Sequence, residues 1–515
     1  MNQPITRFHI AQTQPSFTYQ VSEMGHATVR KDAQVTNTAP IQIGKPILIK
    51  NCLVYPIIVW PNYLKENIIA TYKSLAITFN YLPSQSKLIL APSLEKAYAP
   101  LFLNLKDSEE SKPLGFLIIC PDAFYDSVLP LAQWKKKKGW HVSVKCLSET
   151  GSSPTEIKNY IANAYHTWSP PPEYVLLIGD TPQVPPASTT TPVSRTDYPY
   201  ALIDGNDFFA ELLIGRLPAN TTNELSTMVA KIIGYETTPY MNDSSWFTRA
   251  LMVAANYPLD TMTTPIPTKR WVRDRFYEYG FNTIDTVYFP PISGATEITN
   301  SVNQGVSFVN YRGGIANPHG WAYPNFDNTD VIGLSNGWKL PVVTSITCLN
   351  GNFGYETCFG EAWVRAGNPI TPKGGVAFLG ASAAITSSRW NNCLDMGIYW
   401  GILEEHIYNL GPALYRGKME VYANFPGDTA WASGSSFYFH TYNLLGDPSL
   451  NVWTDIPDTF IVSHAGTMPV GSNYMTIQVL NSSAQPVSSA MVSLYKDNQV
   501  KEVMVFFTVL EYPLF

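Results

Sequence analysis

A cysteine and a histidine follow two apolar segments that have the character of buried strands. Cys348 comes directly after "LPVVTSIT", and His319 lies in the loop that follows "GVSFVN". The carboxyl ends of neighbouring parallel strands meet at one edge of a sheet, so we expect the two side chains to lie close together there. An imidazole beside a thiol lets it form the nucleophilic thiolate at neutral pH. The pattern therefore predicts nucleophilic catalysis by Cys348 with His319 as its base.

Glycines accompany both candidates. Gly313 and Gly320 flank the histidine loop, where the backbone can turn tightly and offer N–H groups to a developing oxyanion. Spacing alone leaves a simpler alternative open, because a cysteine that closes an apolar strand is more often an inert core residue. His319 would then be an exposed loop histidine without a chemical role.

The elements that must position these residues alternate between strand and helix patterns from about residue 115 to 450. "YVLLIGD" is typical of a buried parallel strand, and "SPTEIKNYIANAYHTW" opens with Ser153 and Glu156 in the positions of a helix capping box. The fold class predicted for residues 115–453 is therefore α/β with a mainly parallel sheet.

The flanking regions follow a different pattern. Residues 1–105 alternate apolar and polar positions, which predicts a β-rich domain, and the charged, proline-marked stretch after it reads as a linker. Residues 454–515 predict an immunoglobulin-like β-sandwich that is shorter than the roughly 100 residues usual for that fold.

Composition excludes several classes of protein. The chain has 515 residues, of which 45% are hydrophobic and 14% charged, with a net charge of -6, so we expect a folded protein and no nucleic-acid partner. The six cysteines show no paired metal-ligand spacing, and we expect no metal centre built on them. No apolar run is long enough to span a membrane, and the first residues lack the pattern of a signal peptide. The chain therefore either stays inside the cell or has its true start upstream of Met1.

One acidic stretch is a candidate for structural calcium. Asp197, Asp204, Asp207 and Glu211 supply oxygen ligands of the kind that calcium prefers, but without the regular spacing of an EF-hand loop. A solvated loop is the alternative interpretation. We expect no other cofactor.

The stretch "TSITCLNGNFGYETCFGEAWVRAG", followed by "PKGGVAFLGAS", closely resembles the nucleophile segment of the gingipain-like cysteine peptidases, peptidase family C25. "YVLLIGD", "DYPYALIDGNDFFAELLIGR" and "YNLLGDPSL" resemble other landmarks of that family in the same order. The resemblance implies a caspase-like fold, a Cys/His dyad, cleavage of peptide bonds in protein or peptide substrates, and secretion or display on a bacterial surface. It also implies that residues 1–105 correspond to a pro-region and residues 454–515 to an immunoglobulin-like domain.

The sequence departs from the family pattern at the histidine. The family usually has Gly-His-Gly after Asn-Tyr, whereas "NYRGG" places Gly314 at that position, and His319 lies five residues later. Two alternatives to an endopeptidase stay open. One is a sortase-like transpeptidase of the same family, which would use the same nucleophile, and the other is a catalytically inactive surface-binding module, which the missing histidine favours. The segment "LDTMTTPIPTKRW" has only Asp260 as an acidic residue, so a preference for basic side chains is not expected.

Overall fold

The structure is a computed structural model that describes residues 5–28, 38–50, 52–60, 62–65, 68–83, 88–105, 114–189, 195–256, 264–290, 294–314, 317–426, 434–467, 475–488, 490–496 and 498–506. The predicted linker after residue 105 and Asp260 lie outside these residues. Among the described helices, none combines the length and the apolar character needed to cross a membrane.

The N-terminal part consists of antiparallel strands followed by one helix: β1 (Ile5–Ile10), β2 (Ser16–Thr28), β3 (Ile41–Ile43), β4 (Ile47–Ile49), β5 (Cys52–Val59), β6 (Asn62–Lys65), β7 (Ile68–Asn80) and α1 (Pro92–Tyr98). β1, β3 and β4 pair with β5, while β2 and β6 pair with β7. A small core of Ala11, Ile41, Tyr55 and Ile57 belongs to these strands. The β-rich character predicted for residues 1–105 is present in the described strands, but the domain limits remain a prediction.

The described residues of the central part form twelve strands. They are β8 (Leu114–Cys120), β9 (Trp140–Cys146), β10 (Pro172–Ile178), β11 (Leu213–Leu217), β12 (Arg249–Ala255), β13 (Thr283–Phe289), β14 (Phe308–Arg312), β15 (Gly320–Trp321), β16 (Phe326–Asp327), β17 (Val342–Ile346), β18 (Ala377–Ala381) and β19 (Tyr442–Leu445).

The helices of this part are α2 (Tyr125–Lys137), α3 (Leu147–Thr150), α4 (Pro154–Thr167), α5 (Thr222–Thr237), α6 (Pro265–Tyr279), α7 (Ala295–Gln304), α8 (Asn328–Gly333), α9 (Phe359–Arg365), α10 (Ser388–Leu403), α11 (Leu410–Asn424) and α12 (Ser435–Thr441). The capping box predicted from Ser153 and Glu156 is confirmed at the start of α4.

One ten-stranded sheet organises these elements, in the order β13-β12-β14-β17-β18-β19-β11-β10-β8-β9. Its interior strands are mostly apolar because both faces of the sheet are covered; all residues of β10, for example, are buried. Every pairing is parallel except that between β18 and β19. The prediction of a mainly parallel sheet is confirmed, with two parallel halves that run in opposite directions.

The change of strand direction between β18 and β19 determines which strand ends lie together at each edge of the sheet. The carboxyl ends of β14, β17 and β18 share an edge with the amino ends of β19 and β11. We call it the Cys348 edge, because Cys348 follows β17 there.

The C-terminal part forms two hairpins: β20 (Ile461–His464) pairs with β21 (Ile477–Leu480), and β22 (Ala490–Lys496) pairs with β23 (Gln499–Phe506). The Ser493 hydroxyl donates to the Lys137 carbonyl at 2.5 Å, which connects β22 to the end of α2. The immunoglobulin-like sandwich remains a prediction.

Candidate active site at the carboxyl end of β17

Cys348 lies two residues beyond the end of β17 and is half-buried. The next residue, Leu349, has a φ of 65°. A non-glycine residue is strained in this left-handed region, and such strain tends to persist where function requires an unusual turn. The Leu349 N–H donates to the Ala383 carbonyl at 3.0 Å, which fixes the turn against the segment after β18. The nucleophile candidate therefore sits on a sharp, restrained turn at a strand end.

Two polar groups of one residue contact the Cys348 sulfur. The Thr386 hydroxyl lies 3.2 Å from Sγ, and the Thr386 backbone N–H donates to Sγ at 3.3 Å. Thr386 precedes α10 in the segment that connects it to β18. Neither the residue nor the contact was anticipated from the sequence.

Behind Thr386, two side chains extend the hydrogen-bond chain into the core. Asn391 Nδ2 donates to Thr386 Oγ1 at 2.8 Å, and the Tyr442 hydroxyl donates to Asn391 Oδ1 at 2.7 Å. Burial raises the pKa of Tyr442 well above its ordinary value, so this hydroxyl keeps its proton.

His319 is exposed and has its own partners. Its Nδ1 lies 3.1 Å from the Thr357 carbonyl, and its ring contacts Tyr355 with centroids 6.2 Å apart. Because a carbonyl oxygen only accepts, Nδ1 carries the proton and Nε2 keeps its lone pair in the neutral ring. Among the described residues, no hydrogen bond joins His319 to Cys348, and their contacts go to different segments.

Asn350 ties the two loops together. Its Nδ2 donates to the carbonyls of Asn317 at 2.5 Å and Gly320 at 2.9 Å, while its Oδ1 accepts from the Ser345 hydroxyl at 2.7 Å. Trp321 Nε1 donates to the same hydroxyl at 2.9 Å. The loop that contains His319 is therefore fastened to the loop after β17, two residues after Cys348. Sequence reasoning missed Asn350, although it is part of the "CLNGN" motif.

The two glycines predicted to serve the oxyanion are both buried. A Cβ on Gly313 would lie 2.1 Å from the Tyr311 hydroxyl, and one on Gly320 would lie 2.6 Å from the Phe326 carbonyl. Close packing thus explains why both positions are glycine. Their role as donors to an oxyanion remains a prediction. The Cys348 N–H makes no hydrogen bond with any described residue, which leaves it available as a donor at the nucleophile.

The sequence profile of Peptidase family C25 matches residues 109–453, well over half of the chain. The chain belongs to this family.

Relatives of the C25 chain bear out the assignment. Gingipain R2 of Porphyromonas gingivalis strain ATCC BAA-308 / W83 is 26% identical over 425 residues, which cover 77% of this chain and 56% of the relative. Lys-gingipain of P. gingivalis strain ATCC 33277 is 25% identical over 426 residues, covering 75% of this chain and 24% of the relative. The chain thus spans about half, or less, of these relatives' length.

Solved structures show the same fold. The crystal structure of the Arg-specific cysteine proteinase gingipain R (RgpB) superposes with a TM-score of 0.71 at 22% identity, covering 79% of this chain and 92% of that one. The complex of P. gingivalis RgpB pro- and mature domains gives a TM-score of 0.70 at 23% identity, covering 78% and 93%. The resemblance stated from the sequence is confirmed.

In this C25 chain the end of β14 carries Arg312, which is fully buried. Its guanidinium donates to the carbonyls of Gly313 at 2.9 Å, Ile346 at 3.4 Å and Ser388 at 3.4 Å. One cation thereby holds the ends of β14 and β17 and the start of α10. It positions the three loops around the site.

The carboxylates of the acidic stretch contact other residues of the same chain. Asp197 pairs with Arg216 at 2.7 Å and Asp204 with His166 at 3.2 Å. Glu211 lies 3.7 Å from Lys50 Nζ, and Asp207 accepts from the Lys50 backbone N–H at 3.2 Å. The described residues contain no group of three or more His, Cys, Asp or Glu arranged to hold a metal. Structural calcium at these residues remains a prediction without geometric support.

Proposed function

We propose that this chain is a cysteine endopeptidase that acts on protein or peptide substrates through Cys348. The observation that carries the proposal is the half-buried thiol on a strained turn at a sheet edge, in a chain of a peptidase family. The names of the relatives are those of peptidases, and they favour neither the transpeptidase nor the inactive-module alternative.

In the proposed reaction, the Cys348 thiolate attacks the carbonyl carbon of the scissile bond and forms a C–S bond. The carbonyl oxygen becomes an oxyanion that the Cys348 N–H stabilises, with Gly313 or Gly320 as further candidates. Collapse breaks the C–N bond, the leaving nitrogen takes a proton, and water then hydrolyses the thioester.

His319 is the proposed carrier of that proton. The carbonyl of Thr357 supports the tautomer with a basic Nε2, as a general base requires. The role requires Nε2 to come within hydrogen-bond reach of the sulfur or the leaving nitrogen when a peptide binds. Asn350 binds the carbonyls of Asn317 and Gly320 on either side of His319. The movement that brings Nε2 to the sulfur must therefore be confined to the residues between them.

The wider proposal follows the family. We propose secretion or display at a bacterial surface, a pro-region-like role for residues 1–105 and an immunoglobulin-like domain in residues 454–515. No preference for arginine or lysine is proposed, because Asp260 is the only acidic residue in its segment and has no convincing equivalent position in the family pattern.

The test uses a thiol-reactive peptide probe and a library of peptide substrates on the full chain. Cys348→Ala should abolish both labelling and cleavage, and His319→Ala should slow cleavage about 100-fold or more. His464→Ala is the matched control, because His464 is also exposed with Nδ1 on a backbone carbonyl, and it should behave as wild type. Wild-type labelling no greater than that of Cys348→Ala would contradict the proposal, and full activity of His319→Ala would contradict the assignment of the base.

A further inference from the structure

Two polar groups of Thr386 lie next to the Cys348 sulfur. Both the hydroxyl and the backbone N–H of Thr386 lie within hydrogen-bond distance of Sγ, at 3.2 and 3.3 Å. A neutral thiol is a weak acceptor, whereas a thiolate accepts strong, charge-assisted hydrogen bonds. Two donors aimed at one sulfur therefore favour its ionised form.

The side chains behind Thr386 fix the direction of its hydroxyl proton. The Tyr442 hydroxyl donates to Asn391 Oδ1, which turns the Asn391 amide nitrogen toward Thr386. Thr386 Oγ1 accepts from that nitrogen, so its own proton is free to point at the Cys348 sulfur. Every member of the chain is then satisfied in one consistent orientation.

The backbone of the Thr386 segment is held on both sides. The Ser387 N–H donates to the Tyr438 hydroxyl at 2.6 Å, and that hydroxyl donates back to the Ser387 carbonyl at 2.9 Å. On the other side, the Ala383 carbonyl accepts from Leu349 N–H. The two donors are therefore positioned before any substrate binds, as electrostatic stabilisation requires.

We propose that Thr386 stabilises the Cys348 thiolate through these two hydrogen bonds, so that formation of the nucleophile does not depend on a neighbouring histidine. The thiol proton leaves to solvent or to His319, while both Thr386 hydrogens stay on their own atoms. The consequence for peptide cleavage rests on the proposed function, but the thiolate itself can be measured without a substrate. This would explain how a chain with Gly314 in the histidine position keeps a reactive cysteine.

The loops and elements that neighbour those of Cys348 and Thr386 carry other charged or titratable groups. They are His319 before β15, Arg312 at the end of β14, Glu356 in the nucleophile loop, Tyr442 on β19, Asp395 and Arg389 on α10, and Lys269 on α6, which pairs with Asp395. All of them are retained in every variant below. Differences between variants therefore report on Thr386 alone.

The test measures alkylation of Cys348 by iodoacetamide from pH 5 to 10 on the full chain, quantified on the Cys348 peptide by mass spectrometry. Thr386→Val removes the hydroxyl and keeps the backbone N–H, and we expect the midpoint of the pH profile to rise by about one unit. The rate at the alkaline plateau should rise about threefold, because a more basic thiolate is a better nucleophile. Thr386→Ser keeps the hydroxyl and should retain the wild-type midpoint.

Thr347→Val is the matched control, since the Thr347 hydroxyl is buried beside Cys348 with no hydrogen-bond partner among the described residues. It should leave the midpoint unchanged. Thr386→Ala, which adds no bulk, serves if the valine variant does not fold. A midpoint unchanged in both the Val and Ala variants, or shifted equally by Thr347→Val, overturns the inference. Absent peptide cleavage with a normal Thr386-dependent midpoint contradicts only the proposed function.

Discussion

At the scale of single residues, burial distinguishes two histidines that make similar hydrogen bonds, because it determines whether the ring is accessible to solvent and substrate. His319 is exposed with Nδ1 on the Thr357 carbonyl, whereas His440, at the end of α12, is buried with Nδ1 on the Ser436 carbonyl at 2.8 Å. Burial, with a smaller contribution from the nearby Lys418, lowers the pKa of His440 to about 4. His319 is thus open to solvent and substrate, while His440 is a neutral core residue.

This difference predicts a specific pH dependence of stability. Below the ordinary histidine pKa near 6.5, the unfolded chain binds a proton at His440 that the folded chain excludes down to about pH 4. The contribution is fully present above pH 6.5 and is lost as the pH falls toward 4, costing about 2 to 3 kcal/mol at pH 4.5. Urea unfolding followed by tryptophan fluorescence at pH 7 and 4.5 measures it.

His440→Gln removes the titrating group. Its free energy of unfolding should therefore fall less than that of the wild type between pH 7 and 4.5, by the amount given above. His464→Gln, at an exposed histidine, should follow the wild type. Equal losses in wild type and His440→Gln would show that His440 does not carry this penalty.

Residues of the site differ in how far the sequence predicts them. Cys348 is singled out because its segment resembles the nucleophile segment of the family, which is a local signal, and its catalytic role remains a prediction. Thr386 and Asn350 are missed because their partners, Cys348 for one and Asn317 and Gly320 for the other, lie about 30 or more residues away. The buried ion pair of Lys135 with Glu236 likewise joins residues 101 positions apart in the sequence. Hydrogen bonds between distant segments leave no local pattern.

At the scale of elements, the loop after β17 depends on a close backbone contact with β18. The Gly351 N–H donates to the Ala381 carbonyl at 2.9 Å, and a Cβ on Gly351 would lie 2.5 Å from the Gly380 carbonyl. The obstacle is backbone, which cannot rotate away as a side chain would. This contact holds the loop after β17 in position against β18.

Gly351→Ala should therefore displace the loop. We expect a loss of about 1 to 3 kcal/mol in stability, as for other overpacking substitutions, together with strongly reduced probe labelling of Cys348. Thermal unfolding and labelling of the same preparation measure both effects. Gly333→Ala is the control, because nothing lies within 4 Å of a Cβ there, and it should leave labelling intact. Normal labelling of Gly351→Ala would mean that the loop keeps its place without this contact.

Element types are more predictable than their arrangement. Ser153 and Glu156 predict the start of α4 from local sequence. The apolar run of β10 predicts a strand with both faces covered. Neither signal specifies direction, so the antiparallel junction between β18 and β19 could not be predicted. That junction places the segments before β11 and β19 at the Cys348 edge.

At the scale of the whole molecule, the N-terminal strands dock on the α/β part through a buried ion pair. Lys50, at the turn between β4 and β5, reaches Glu211 just before β11, and only 9% and 0% of the two side chains are exposed. Burial lowers the pKa of Lys50 and raises that of Glu211, so each charge is costly alone. Phe8 also stacks on Tyr422 of α11, with centroids 5.7 Å apart. The ion pair fixes the docking at the amino end of β11, on the Cys348 edge.

Removing one partner of such a pair costs more than removing both, because the remaining charge stays buried without compensation. Lys50→Met should destabilise the protein by about 3 kcal/mol, and adding Glu211→Gln to that variant should recover part of the loss. A double-mutant cycle by chemical unfolding measures the coupling, and Lys45→Met, on the exposed surface of the same segment, should have little effect. Strictly additive effects of the two substitutions would show that Lys50 and Glu211 do not interact, and that other contacts, such as that of Phe8 with Tyr422, hold the N-terminal strands in place.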